Sequence, residues 1–275
     1  MIITVDTGGT KTLVASFDES GTIGEQIKFP TPKDTAEYTQ TLRKILTDNY
    51  GDKAVEIIVL AVPGVIKNGV AIWCNNLGWT NFDIKTSLAG VLGNTPIFIE
   101  NDANLAGLGE TRALENAPAQ SLYVTVSTGI GSGIITNGHI NQALSNSEAG
   151  HAIVEFDSKA QEWENFASGR SFHDTYGQYA RDITDENIWN EIADKISRGF
   201  LAVIPILQPD IVIIGGSIGT YFDHYGVQLK ELLNERLPEH IARPLFVQAK
   251  YPELAVIYGC YYYAVDALDN IKAKN

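Results

Sequence analysis

Two glycine turns, each placed directly after an apolar run, constrain this chain more than any other feature. The first is DTGGTK at residues 6–11, behind Ile2, Ile3 and Val5; the second is STGIGSG at residues 127–133, behind SLYVTV. An apolar run, a tight glycine turn and a second apolar run read as two buried strands joined by a hairpin. The same plan opening both halves predicts two units of similar architecture. Residue identity between the halves is low, so the repetition is one of plan.

The rest of the chain fits that division. Residues 25–29 complete a β-meander, Asp34 caps a helix through about Thr47, and residues 55–62 are continuous in Val, Ile, Leu and Ala. Such a run marks a strand covered on both faces. Pro63-Gly64 ends it, and a helix near residues 86–92 leads to a strand at 96–100. In the second half a strand at 121–126 precedes a glycine turn at 128–133 and a strand at 133–135. Ile140 and residues 152–156 are the candidates for a third strand. Helices follow at 163–179 and 186–207, then a short buried strand at 211–214. The last helix, about Glu253 to Lys272, is apolar around much of its circumference and is expected to pack back on the first half. The fold class is α/β, each half a mixed sheet with flanking helices. The predicted boundary follows Asn101-Asp102, giving domains 1–102 (joined by about 253–275) and 103–252.

Composition narrows the function. The 275 residues carry 20 Lys+Arg against 33 Asp+Glu, a formal net charge of −13. This argues against a nucleic-acid partner, which needs clustered cations. It leaves room for a small phosphate ligand, since backbone N–H groups and a bound cation hold phosphate without basic side chains. Cys74 and Cys260 stand far apart with no CxxC spacing, which points away from a disulfide framework and toward a cytoplasmic protein. MIITVDTGGTK lacks the basic start of a signal peptide, and no segment reaches about 18 uninterrupted apolar residues, so no membrane span is expected.

Five constellations can carry chemistry. In residues 6–11, Gly8 and Gly9 let successive N–H groups face a phosphate, Thr10 and Lys11 add a hydroxyl and a cation, and Asp6 could hold Mg²⁺ through water. The alternative is a hairpin that simply needs glycine. In the second loop Thr128, Gly129 and Gly131 leave one face open to a ligand, or form an ordinary bulge. In IENDANLAGLGE, Asp102 follows a strand and opens a helix; by base rate it is an N-cap, and at a phosphate cleft it is a general base. Glu148, His151 and Glu164 can bind vicinal hydroxyls of a sugar, or form a solvated acidic stretch around one histidine. Gly215, Gly216 and Ser217 can pass close to a flat ring such as adenine, or turn a strand into a helix.

In this order the five constellations resemble the ROK family (repressor, open reading frame, kinase), which lies within the actin-like ATPase superfamily of sugar kinases. The resemblance covers essentially the whole chain. It rests on DxGGTK, Pro63-Gly64, NLGW at residues 76–79, END-N at 100–104, TGIGSG, E-x-G-H at 148–151, E-x-x-ASG at 164–169 and the glycine pair at 215. It implies a two-lobed actin-like/ribonuclease-H-like ATPase fold, with ATP and Mg²⁺ in the cleft between the lobes and with dimers common. It further implies that Asp102 is the catalytic base and that Asn76, Asn101, Glu148, His151 and Glu164 contact the sugar. Asp6, Gly8, Gly9, Thr10, Lys11, Thr128, Gly129 and Gly131 would hold phosphate, with Gly215, Gly216 and Ser217 at the adenosine end.

Two departures qualify the resemblance. Family members commonly carry CxCGxxGCxE before the glutamate at Glu164 and bind structural Zn²⁺ with it and the histidine. Here the stretch is AIVEFDSKAQEWE, so no zinc site is expected, with Trp163 as a candidate packing anchor. ROK repressors place a helix-turn-helix ahead of the glycine loop, for which a loop starting at Asp6 leaves no room. The expectation is therefore an ATP:hexose 6-phosphotransferase, with glucokinase first. N-acetylmannosamine, N-acetylglucosamine, fructose or mannose are the alternative substrates, and a non-catalytic sugar-binding regulator is the alternative of another class.

Overall fold

A computed structural model describes residues 1–273. The elements run β1 (Ile2–Thr7), β2 (Lys11–Phe17), β3 (Ile23–Pro30), α1 (Thr35–Tyr50), β4 (Ile57–Val62), β5 (Val65–Lys67), β6 (Val70–Cys74), β7 (Trp79–Asp83), α2 (Ile84–Leu88), β8 (Ile97–Asn101) and α3 (Asp102–Arg112). They continue with β9 (Gln120–Val126), β10 (Ile130–Thr136), β11 (His139–Ile140), β12 (Ile153–Phe156), β13 (Lys159–Glu162), α4 (Glu164–Ala167), α5 (Gly169–Tyr176), α6 (Glu186–Leu207), β14 (Ile211–Gly215), α7 (Gly216–Gly219), α8 (Phe222–Arg236), β15 (Leu245–Gln248) and α9 (Ala255–Lys272). Residues 1–109 with α9 form one unit and residues 110–253 another.

The first unit is built on a mixed sheet ordered β3-β2-β1-β4-β8, with β1 antiparallel to β2 and parallel to β4. Every residue of β4 is buried, as a run without polar alternation requires of a central strand. The α1 helix starts at Asp34, whose side chain accepts from the Glu37 N–H at 2.8 Å, and buries Tyr38, Leu42, Leu46 and Tyr50 along one stripe. The α9 helix packs on the same unit. A Cβ on Gly259 would fall inside the Leu105 carbonyl, so glycine there lets α9 and α3 cross with their backbones nearly touching.

The second unit repeats the plan with β11-β10-β9-β14-β15, again antiparallel at the hairpin and parallel beyond it. Its core gathers Trp163, Trp189, Phe172 and Phe200 under the sheet.

Several expectations change. The second glycine turn is shorter than residues 128–133, because β10 starts at Ile130 and Gly131 already pairs with Thr125. Glycine needs no side chain to keep its ladder bonds. Residues 152–156 supply no third strand to that sheet; β12 pairs with β13 in a separate hairpin whose turn residues Asp157 and Ser158 both have positive φ, the backbone of a two-residue hairpin turn. The helix expected over 163–179 is broken at Ser168, an extended residue whose side chain caps α5. The helix expected near 86–92 lies at α2 instead, because Asp83 caps it. The β5-β6-β7 sheet, α8 and β15 carried too little periodicity to be read from sequence.

Candidate functional site

In the first unit, DTGGTK is the β1–β2 hairpin, closed by the Gly8 N–H donating to the Lys11 carbonyl at 3.0 Å. Thr10 and Lys11 are exposed, while the loop's underside is braced. The Thr31 hydroxyl donates to the Gly8 carbonyl at 2.8 Å, and Lys33 Nζ donates to the carbonyls of Gly9 (2.7 Å) and Asn76 (2.6 Å). The Trp79 indole N–H donates in turn to the Lys33 carbonyl at 2.7 Å. DTGGTK and NLGW are thus bound into one assembly, with the Asn76 side chain exposed beside Gly9. Sequence reasoning missed Lys33. Its signal was a lone cation immediately before the capping Asp34.

END-N is a hydrogen-bonded module. Asn101 Oδ1 accepts from the Asn104 N–H at 3.0 Å, and Asn101 Nδ2 donates to the Gly64 carbonyl at 2.9 Å. Glu100 accepts from the Asn101 N–H (2.8 Å) and Asn104 Nδ2 (3.1 Å). The N-cap duty at α3 therefore falls to Asn101, in the three-residue reach typical of a cap. The Asp102 carboxylate accepts from the Ala103 N–H at 2.9 Å and from its own N–H, both bonds local to the start of the helix.

Asp6, at the end of β1, and Asp102, at the start of α3, are electrostatically coupled carboxylates. Burial, reinforced by the negative charge of Asp102, pushes Asp6 up to about 7. Burial also raises Asp102 above the ordinary carboxylate range, against the hydrogen bond from Ala103. The repulsion at Asp6 would be relieved by a divalent cation, for which its carboxylate is the candidate ligand. The residues present therefore fit Mg²⁺.

In the second unit, the turn between β9 and β10 is closed by the Ser127 N–H donating to the Gly129 carbonyl at 2.9 Å, with Thr128 exposed at its tip. Glu164 lies against it. Its Oε2 accepts from the Ile130 N–H at 3.1 Å, and a Cβ on Gly129 would stand 2.6 Å from that oxygen. His151 closes a 3₁₀ turn, its N–H donating to the Glu148 carbonyl at 3.1 Å, and its Nδ1 lies 3.1 Å from Glu162 Oε2. Burial disfavours the imidazolium, but the Glu162 hydrogen bond and the charges of Glu164, Glu162 and Glu148 outweigh it and raise the His151 pKa. Glu148, His151 and Glu164 thus share one neighbourhood, joined by Glu162, which sequence reasoning did not single out. His151, Glu162 and Glu164 place one donor atom each within 4.8 Å of one another. The donor set contains no cysteine and so does not fit the family's cysteine-based zinc site.

A cavity of about 510 Å³ in the same unit is lined by Thr128 and Ser217 together with His173, Tyr179, Arg181 and Tyr221. Arg181 lies 5.0 Å from the Tyr179 ring centre, and the His173 and Tyr179 rings are 4.4 Å apart. The glycines beside Ser217 belong to the wall: Gly215 ends β14 and Gly216, with φ of +79°, turns the chain into α7. The aromatic and cationic lining was missed. Its only sequence signal is three basic residue types, Arg170, His173 and Arg181, close together in an acidic chain.

The family model described as "ROK family" matches residues 2–267. The chain belongs to the ROK family. A polyphosphate glucokinase of Mycobacterium tuberculosis (strain CDC 1551 / Oshkosh) is 29% identical over 243 residues, covering 85% of this ROK chain and 82% of the relative. A fructokinase of Pediococcus pentosaceus is 27% identical, covering 78% of this chain and 79% of the relative. Among solved structures, a ROK family glucokinase from Streptomyces griseus in complex with glucose and AMPPNP superposes with a TM-score of 0.78 at 21% identity, over 94% of this chain and 97% of that one. That likeness establishes the expected α/β ROK fold.

Proposed function

We propose that this ROK protein transfers the γ-phosphoryl group of ATP to O6 of a hexose, with glucose the first candidate. The observation that carries the reading is the division of labour at α3. Asn101 takes the cap, and Asp102 is left as a half-buried carboxylate with raised proton affinity at the start of α3. A carboxylate in that state is suited to accept the hydroxyl proton as the oxygen attacks in line. The O6–H bond breaks toward Asp102, the O6–P bond forms, and the bond from the γ-phosphorus to its bridging oxygen breaks to release ADP.

The other residues supply positioning. Glu148, His151 and Glu164 would hold ring hydroxyls, as paired carboxylates and an imidazole do. The DTGGTK hairpin and the Ser127–Gly129 turn offer backbone N–H groups for phosphate, and the Thr128–Ser217 cavity offers aromatic faces for a base and cations for the phosphates. Asp6 would hold Mg²⁺, which when bound offsets the charge of the phosphates and leaves Asp102 to act as the base.

The test is a coupled assay for phosphate transfer over glucose, fructose, mannose, N-acetylglucosamine and N-acetylmannosamine. ATP and inorganic polyphosphate serve as donors, the latter because the mycobacterial relative is named for it. Turnover on glucose with ATP well above the other pairs supports the reading. Preference for another sugar reassigns the substrate within the kinase class. Sugar binding without turnover on any pair would establish the non-catalytic regulator instead.

A further inference from the structure

We propose that Glu162 is the positioning residue of the sugar-binding set, fixing the tautomer and ring orientation of His151 through its Nδ1. The inference rests on the reading of His151 as a sugar ligand and goes beyond it. The contact is 3.1 Å between Glu162 Oε2 and His151 Nδ1. A carboxylate only accepts hydrogen bonds, so Nδ1 carries the proton in this contact, and whenever the ring is neutral Nε2 is its acceptor. An imidazole so held can take a hydrogen bond from a sugar hydroxyl. Without Glu162 the ring loses the contact that selects the Nδ1–H tautomer. Glu148 and Glu164 also act on this ring.

The hairpin that carries Glu162 is anchored well enough to act as a fixed support. Trp163, the next residue, is fully buried, and its N–H donates to the Ala152 carbonyl at 2.9 Å. Phe156, at the hairpin's far end, stacks on Phe166 with ring centres 4.5 Å apart and planes 2° from parallel. Lys195 Nζ, from α6, lies 5.9 Å from the Phe156 ring, 5.8 Å from Phe172 and 4.8 Å from Tyr176. Aromatic packing thus holds both ends of the hairpin, and Glu162 projects from a backbone that has little freedom to move. Half-exposed on both sides, the contact adds little stability. Its consequence is directional, and that predicts a particular pattern of losses.

The experiment uses the full chain without sugar. Long-range ¹H–¹⁵N spectra of His151, recorded at a pH where the ring is neutral, should show the Nδ1–H tautomer in the wild type and in Glu162→Gln, whose amide oxygen can still accept. Glu162→Ala should show a tautomer mixture. In kinetics on the preferred sugar, Glu162→Ala should raise KM about tenfold with a smaller change in kcat, the loss of one charge-assisted hydrogen bond, and Glu162→Gln should restore most of it. An Nε2–H tautomer in the wild type would overturn the proposal whether or not the protein phosphorylates sugars. So would stoichiometric Zn²⁺ bound tightly to the purified protein with His151 Nδ1 as a ligand. If no sugar is phosphorylated but the tautomer is as stated, the positioning role stands and the kinase reading alone falls.

Discussion

Glu164 Oε2 accepts a hydrogen bond from the Ile130 backbone N–H at 3.1 Å, which joins a proposed sugar ligand to the glycine turn proposed to hold phosphate. The space for this bond exists because residue 129 has no side chain. A change in the turn is therefore expected to reach Glu164. Gly129→Ala should displace the carboxylate, raising KM for sugar and for donor together. A KM change confined to the donor would show that Glu164 and the turn act separately.

Asp102→Asn should lower kcat by roughly 10²–10⁴-fold, the usual contribution of a general base. Sugar binding, followed by tryptophan fluorescence or calorimetry, should stay close to wild type. Turnover near the wild-type rate would remove Asp102 as the base.

Asn101→Ala and Asp102→Ala separate the cap from the base by stability. Asn101→Ala loses the bonds to the Asn104 N–H and the Gly64 carbonyl and should cost about 1–3 kcal/mol. That lowers the melting temperature by roughly 2–4 °C per kcal/mol for a chain of this size. Asp102→Ala should leave melting unchanged or raise it, because it removes the charge that opposes ionisation of Asp6. The reverse order in thermal melts would return the cap to Asp102.

Lys33→Met keeps the apolar stem and removes the ammonium that ties the Gly9 carbonyl to the Asn76 carbonyl. The two loops should loosen together, with donor and sugar KM both rising severalfold and α1 unaffected in circular dichroism. Unchanged values for both would show that neither loop depends on this tie.

The proton affinity of Asp6 makes stability depend on pH in a defined direction. Because the folded protein raises Asp6 to about 7 from an ordinary value near 3.8, protonated Asp6 favours the folded state. Its contribution is complete below the unfolded value and is lost as pH rises through about 7. Melting of metal-free wild type relative to Asp6→Asn should therefore fall between pH 5 and 8.5. Mg²⁺ should restore the wild type at the upper end more than it does Asp6→Asn. Parallel melting curves across that range would rule out the Asp6–Asp102 coupling.

Much of the fold could be read directly. The β1–β2 meander, the Asp34 cap, the uniformly apolar β4 and the amphipathic α6 each carry their signal within one short segment, through glycine turns, capping chemistry or apolar period. The elements that escaped have weak or mixed patterns, and their partners lie far away in sequence. The β12–β13 hairpin buries little of its own surface and is held by α4 and α6, so only packing distinguishes it from a sheet strand. The site divides in the same way. The glycine loops, Asp102, His151 and Glu164 stand in short motifs. Glu162, Lys33 and the Tyr179–Arg181 wall do not, because their roles come from what lies across a gap of many residues.

Residue order alone determined two glycine hairpins opening two halves, an acidic chain with no cysteine cluster, and the family to which the ordered motifs belong. These follow from local backbone chemistry, which acts between neighbours and needs no knowledge of the rest of the chain. Only the tertiary structure decided that Asn101 rather than Asp102 caps α3, that Asp6 and Asp102 share a desolvated neighbourhood, and that a carboxylate lies against His151 where the family's pattern has cysteines. Burial and side-chain distance set each of these, and both arise from segments brought together by the core.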